Sequence, residues 1–159
     1  MPIIELSLQV RAPIERVFDL SRSVDLHVVS TAATRERPVA GVTSGLMELD
    51  DTVTWEATHF GVRQRLTSVI TACERPRHFS DAMVSGAFRR FDHDHFFEEA
   101  DGITMVRERF DYDAPLGPLG WLAEWLFLTA YMRRFLIRRG EVIRQVAESD
   151  EWMRYLPTS

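Results

Sequence analysis

Residues 89–99 read Arg-Arg-Phe-Asp-His-Asp-His-Phe-Phe-Glu-Glu, and beyond Asp101-Gly102 residues 103–113 read Ile-Thr-Met-Val-Arg-Glu-Arg-Phe-Asp-Tyr-Asp. Successive side chains of a strand point to opposite faces. One face of the first run therefore carries Phe91, His93, His95 and Phe97, against Asp92, Asp94 and Glu98. The second presents Thr104, Val106, Glu108, Phe110 and Tyr112, against Met105, Arg107, Arg109 and Asp111. A two-residue Asp-Gly connection joins such runs as a hairpin. The decisive feature is an inner face rich in aromatics that also holds ionisable groups.

The same alternation continues upstream. Further strands are predicted near 42–50, 52–60, 62–73 and 78–87, divided by Asp50-Asp51, Phe60-Gly61 and Arg75-Pro76. Val53, Trp55, Ala57 and His59 form the inner face of the second of these, Gln64, Leu66, Ser68 and Ile70 that of the third, and Phe79, Asp81 and Met83 that of the fourth. An opening strand places Ile4, Leu6, Leu8 and Val10 on one face. Pro13 suits the first turn of a helix reaching about Arg22, with Val17, Phe18 and Ile14 inward. Ser23 to Pro38 is read as a short second helix and a loop.

Downstream, Pro115-Leu-Gly-Pro-Leu-Gly120 punctuates the chain before a helix of about 30 residues ending near Ser149, about 45 Å long. Trp125, Leu128, Met132, Leu136 and Ile143 face the sheet at helical spacing. Connections this short permit only hairpins, so the seven strands form an antiparallel meander. Its apolar face must be covered, and the final helix is the element able to do so. The expected architecture is α+β: a curved seven-stranded sheet wrapped around a long C-terminal helix, one or two short helices following the first strand, all in a single domain, 1–159.

Composition bounds the function. A net charge of −5 lacks the basic footprint of a nucleic-acid binder. All 19 basic residues are arginine, which reads as the codon bias of a GC-rich, bacterial genome. The single Cys73 makes no internal disulfide, fitting a reducing compartment. It is read as structural. No secretion signal is visible at the start, and Trp121 to Met132 is too short to span a bilayer. A cytoplasmic location, as monomer or homodimer, is expected.

The inner faces carry His59, His93, His95, Glu108 and Asp81. An unpaired buried polar group costs about 1–3 kcal/mol, against a total stability of roughly 5–15 kcal/mol. These groups must pair with one another or line a space that holds water or ligand.

Several segments resemble the START/Bet v 1-like, polyketide cyclase/dehydrase (SRPBCC) proteins. They are Asp25-Leu-His27, Val53-Thr-Trp55, His59-Phe-Gly61, Phe79-Ser-Asp81, Gly86-Ala-Phe88, His93-Asp-His95-Phe-Phe97 and Tyr112-Asp-Ala-Pro-Leu-Gly117. In element order the resemblance covers nearly the whole chain and is closest to the bacterial ligand-binding group. It implies the helix-grip fold, with a cavity between sheet and final helix for lipids, steroids, polyketides or aromatic hydrophobes. Leu49-Asp-Asp-Thr52 stands where the plant branch has a glycine-rich loop, so properties of that loop do not carry over.

Three chemistries fit the lining. His93 and His95, with His59 or Glu108, offer three ligands to a zinc ion. A histidine oriented by Glu108 or Asp81 suits general acid–base catalysis, and the resemblance makes an aldol-type cyclisation or dehydration the natural reaction, with His93, His95 and Glu108 as catalytic groups. The preferred reading has these residues hydrogen-bonding the polar end of a hydrophobic small molecule, with no required cofactor. The expected ligand-binding set is Trp55, His59, Leu66, Asp81, Met83, Phe91, His93, His95, Glu108, Phe110, Tyr112, Leu128, Met132 and Arg133. His27 either caps a loop at the cavity mouth or lies on the surface. Arg133, Arg134, Arg138 and Arg139 form either a solvated face or a cluster with Arg133 turned inward toward Glu108 or an acidic ligand. Trp121 to Met132 is covered core, a lid over the cavity, or a contact between copies.

Overall fold

The computed structural model describes residues 2–114 and 117–158, without the side chains of 120 and 123–125. Strand β1 (Ile3–Val10) is followed by helices α1 (Ile14–Ser21) and α2 (Val24–Ser30) and a 3-10 turn, Ala32–Thr34. Six strands come next: β2 (Arg37–Gly41), β3 (Thr52–His59), β4 (Val62–Glu74), β5 (His78–Ser85), β6 (Arg90–Ala100) and β7 (Ile103–Asp113). The chain then runs helically from α3 (Gly117–Ala123) through one π-helical segment, Glu124–Leu128, into α4 (Thr129–Ala147), and ends in a 3-10 turn, Asp150–Arg154.

The seven strands form one sheet in the order β1-β7-β6-β5-β4-β3-β2, and every neighbouring pair is antiparallel. From β2 to β7 the chain is a meander. Only β1 is not paired with the strand that follows it: α1 and α2 carry the chain across to β2 at the opposite edge, and β1 pairs with β7, the last strand. Bulges between Thr67 and Ser68 and between Ile70 and Ala72 let β4 bend over the interior. The result is the expected α+β architecture, a curved sheet around a long C-terminal helix. Among the described residues, no helix is long and apolar enough to cross a membrane.

One strand lies elsewhere than predicted. The second strand is Arg37–Gly41, which begins within the segment read as helix and loop and ends before the predicted strand, and most of 42–50 is irregular. A proline is disfavoured inside a sheet, but β2 is the sheet edge, where the missing N–H of Pro38 costs no ladder bond. The apolar residues of 42–50 serve a loop instead. Met47 is buried, its N–H bonds to Arg22 O, and Gly45 O accepts from Val24 N. Gly41 holds the turn between them: φ is +75°, and a Cβ would lie 2.2 Å from Thr52 O.

Two apolar clusters flank the interior. The larger joins α1, the sheet and the end of α4 through Phe18, Phe79, Phe97, Val106, Ile143 and Val146. The smaller contains Ile4, Phe91, Phe110, Tyr112, Met132 and Leu136. In α4 the buried positions are Met132, Leu136, Arg139, Ile143, Val146 and Ala147. This is a continuous helical stripe with an arginine in its middle. The expected turn at Pro115-Leu116 and the side chain of Trp125 lie outside the described residues. Leu119, Trp121, Leu122, Leu126 and Phe127 are exposed, Trp121 by 63%. That part of the helix is therefore not covered core.

Candidate functional site

Register, more than sequence spacing, builds the site. Asp81 on β5 pairs with His93 on β6, and His95 on β6 pairs with Glu108 on β7. All four side chains point inward, because positions two apart share a face. Cross-strand neighbours and their diagonals lie close enough for side-chain contact. His93 Nε2 lies 3.2 Å from Glu108 Oε2, and His93 Nδ1 lies 3.8 Å from Asp81 Oδ1. His95 Nε2 lies 3.4 Å from the same Asp81 oxygen, and His95 Nδ1 lies 3.8 Å from Glu108 Oε1. The two imidazoles stand between the two carboxylates, with ring centroids 4.0 Å apart. Phe79 stacks flat on His95 at 4.1 Å.

The fifth member comes from α4. Arg139 places Nη1 3.4 Å from Glu108 Oε1 and donates through Nη2 to Ser21 O at 2.9 Å. Burial opposes ionisation of Glu108, but the contacts with His93 and His95 and the charges of His95 and Arg139 hold its carboxyl well below the usual range. Burial likewise works against Asp81, and the neighbouring histidines and Arg139 outweigh it, lowering its pKa. The histidines diverge. Burial, then the charge of His95, push His93 down against the pull of Glu108 and Asp81. Burial also works against a charge on His95, yet Asp81 and Glu108 on either side raise it. The arrangement favours a proton on His95 over one on His93. With His95 charged, two cations face two anions, which is how a buried ionic cluster is tolerated.

The cluster borders a space of about 450 Å³ between sheet and helix. Of the expected binding residues, Trp55, His59, Leu66, Asp81, Phe91, His93, His95, Phe110, Leu128 and Met132 line it. Glu108 sits behind the histidines. Met83 packs on the smaller apolar cluster, and Tyr112 is fully buried there with its hydroxyl 2.8 Å from Thr129 Oγ1. Arg133 is exposed and does not turn inward. The inward arginine is Arg139, six residues on, because the stripe through Met132, Leu136 and Ile143 passes through 139 and not 133. That spacing was readable in the sequence.

A second polar group lines the same space. His59 Nδ1 and the Tyr131 hydroxyl share a hydrogen bond of 2.6 Å, which joins the end of β3 to α4. Burial lowers the His59 pKa, with Glu36 pulling the other way. His27 lies within 3.2 Å of Glu36 through Nε2 and against the Trp55 ring at 4.2 Å, so it belongs to the interior. Glu36 and Tyr131 carried no sequence signal. One lies between elements, and the other lies in an apolar helical stretch. Phe60 and Phe127, each 69% exposed, also border the space, which opens to solvent beside them. Among the described residues, the buried side-chain polar atoms without a hydrogen-bond partner are Glu36 Oε2 and His95 Nδ1.

No protein-family model matches the chain, and no curated protein does. Solved structures do match. Protein TTHA0849 from Thermus thermophilus aligns with 18% identity over 93% of this chain and 100% of its own, at a TM-score of 0.73. The Zhui aromatase/cyclase from Streptomyces sp. R1128 aligns with 13% identity over 92% and 93%, at 0.74. A START superfamily protein from Mycobacterium smegmatis aligns with 9% identity over 90% and 97%, at 0.68. The chain has the helix-grip fold of the START/Bet v 1-like, SRPBCC-type proteins. At these identities the likeness is one of fold, and function must be argued from the site.

Proposed function

We propose that the protein binds a hydrophobic small molecule with a polar end in the space between sheet and final helix. The observation that carries this reading is the lining: an apolar enclosure of about 450 Å³ with Asp81, His93, His95 and Arg139 converging on it. Its size falls within the roughly 300–1,000 Å³ of small-molecule sites, and so does its mixture of apolar wall and few polar groups. Trp55, Phe91 and Phe110 supply flat surface, which suits a fused-ring or polyketide-like skeleton better than a flexible chain.

The experiment is a titration of the purified protein with naphthalene and 2-naphthol, followed by tryptophan fluorescence and calorimetry. Both bind, and 2-naphthol binds about tenfold tighter, the worth of roughly one added hydrogen bond. If neither binds, the reading is wrong.

A second reading is favoured by one observation. His93 borders the space, is less basic than usual, and is held by Glu108 at 3.2 Å. A neutral imidazole fixed by a carboxylate is suited to take a proton next to a ketone, as a cyclase or dehydratase requires. The likeness to an aromatase/cyclase makes that reaction class the one to assay. Turnover of a linear polyketide mimic that collapses in His93→Ala, with 2-naphthol binding retained, would establish it.

A further inference from the structure

The separations inside the polar cluster are long for hydrogen bonds, with one exception. His93 Nδ1 and His95 Nε2 both face Asp81 Oδ1, at 3.8 and 3.4 Å. Nitrogen–oxygen hydrogen bonds gather near 2.9 Å and rarely exceed about 3.2 Å. The edge between two ligand atoms on a tetrahedral ion with bonds of about 2.1 Å is about 3.4 Å. The ligating atoms of Asp81, His93 and His95 all lie within 4.8 Å of one another.

The far sides of the two rings make the stronger case. A histidine that ligates a metal through one nitrogen usually offers the other to a carboxylate, which fixes its tautomer and orientation. Here both remaining nitrogens, His93 Nε2 and His95 Nδ1, face the same carboxylate, at 3.2 and 3.8 Å. That carboxylate, Glu108, is in turn held by Arg139 at 3.4 Å. His95 is 1% exposed, and its Nδ1 has no hydrogen-bond partner among the described residues.

We propose that Asp81, His93 and His95 form a binding site for one divalent first-row transition-metal ion, with Glu108 and Arg139 as its supporting shell. Two histidines and one carboxylate suit zinc or iron(II) and leave coordination positions free. Because all three ligands border the space between sheet and helix, those positions face the bound molecule. From the sequence, no cofactor is required, and the third ligand beside His93 and His95 is expected to be His59 or Glu108. The side-chain geometry assigns that place to Asp81. The proposal rests on the small-molecule reading only for what occupies the free positions.

The test is a titration of the chelator-treated, dialysed full chain with Zn²⁺ and with Co²⁺, following calorimetric heat, visible Co²⁺ absorption and bound metal by mass spectrometry. One ion per chain is expected, with a d–d band typical of nitrogen and oxygen ligands. Asp81→Asn and His93→Ala abolish that uptake, and Glu108→Gln weakens it about 10–100-fold. Circular dichroism and naphthalene binding are recorded on every variant, so that an unfolded protein is recognised and set aside in favour of the wild-type titration. Absence of stoichiometric uptake by the folded wild type overturns the proposal. Uptake undiminished in Asp81→Asn and His93→Ala also overturns it. Loss of naphthalene binding in a protein that still takes up zinc would instead count against the small-molecule reading alone.

Discussion

Arg139 on α4 places its guanidinium 3.4 Å from the Glu108 carboxylate on β7, tying the final helix to the sheet through a pair with both side chains about nine-tenths buried. In the stripe along α4, this charge takes the place of an apolar residue. Removing one partner of a buried pair costs about 3–5 kcal/mol, because the other charge is left uncompensated. Arg139→Ala should therefore destabilise by roughly that amount in urea unfolding. Arg133→Ala, at an exposed position on the same helix, should stay within about 0.5 kcal/mol of the wild type. Equal effects at the two sites would refute the assignment of Arg139 as the inward arginine.

Acid stability should carry the signature of the depressed carboxyls. Asp81 and Glu108 hold pKa values below their ordinary 3.8 and 4.5. The unfolded chain therefore takes up protons first as pH falls. Their stabilisation is complete above the ordinary values and is lost as pH falls through the folded ones. In metal-free protein, unfolding midpoints between about pH 5 and pH 3 should fall more steeply for the wild type than for Glu108→Gln. Parallel curves would show that Glu108 is not held in its charged form.

The hydrogen bond between His59 and Tyr131 spans β3 and α4 beside the opening marked by Phe60 and Phe127. Tyr131→Phe removes it and should cost about 1 kcal/mol. Since the same contact closes one side of the opening, dissociation of 2-naphthol in stopped-flow measurements should quicken while the interior wall is unchanged. An unchanged off-rate would mean that the molecule leaves by another route.

Ala57 is small and lines the space from β3, so Ala57→Trp fills room and not packed core. Naphthalene and 2-naphthol binding should fall at least about tenfold. The unfolding free energy should change by no more than the roughly 1–3 kcal/mol that overpacking costs. A folded variant that binds as the wild type does would place the ligand elsewhere.

Much of this protein is legible in its sequence. Period-two alternation is a local property, so Phe91, His93, His95 and Phe97 had to share one face, as did Thr104, Val106, Glu108, Phe110 and Tyr112. Short turns between these runs left antiparallel hairpins as the connections available. Alternation and short turns thus specify a meandering sheet with ionisable groups on its covered face, and a helix to cover it.

Which of those groups meet depends on strand register and on helix docking. Asp81 reaches His93 and His95 because β5 pairs with β6 in one register, and a slip of one residue would have sent it to the other face. Glu36 and His27 come together from a connecting segment and α2, which alternation does not describe. Edge position, not local propensity, made Arg37–Gly41 a strand in spite of Pro38. Arg139 is the case in between. Helical spacing singles it out, but only the docking of α4 against β7 turns an arginine on an apolar stripe into the partner of Glu108. Periodicity assigns a side chain to a face, whereas its partner is set by contacts between residues far apart in the chain.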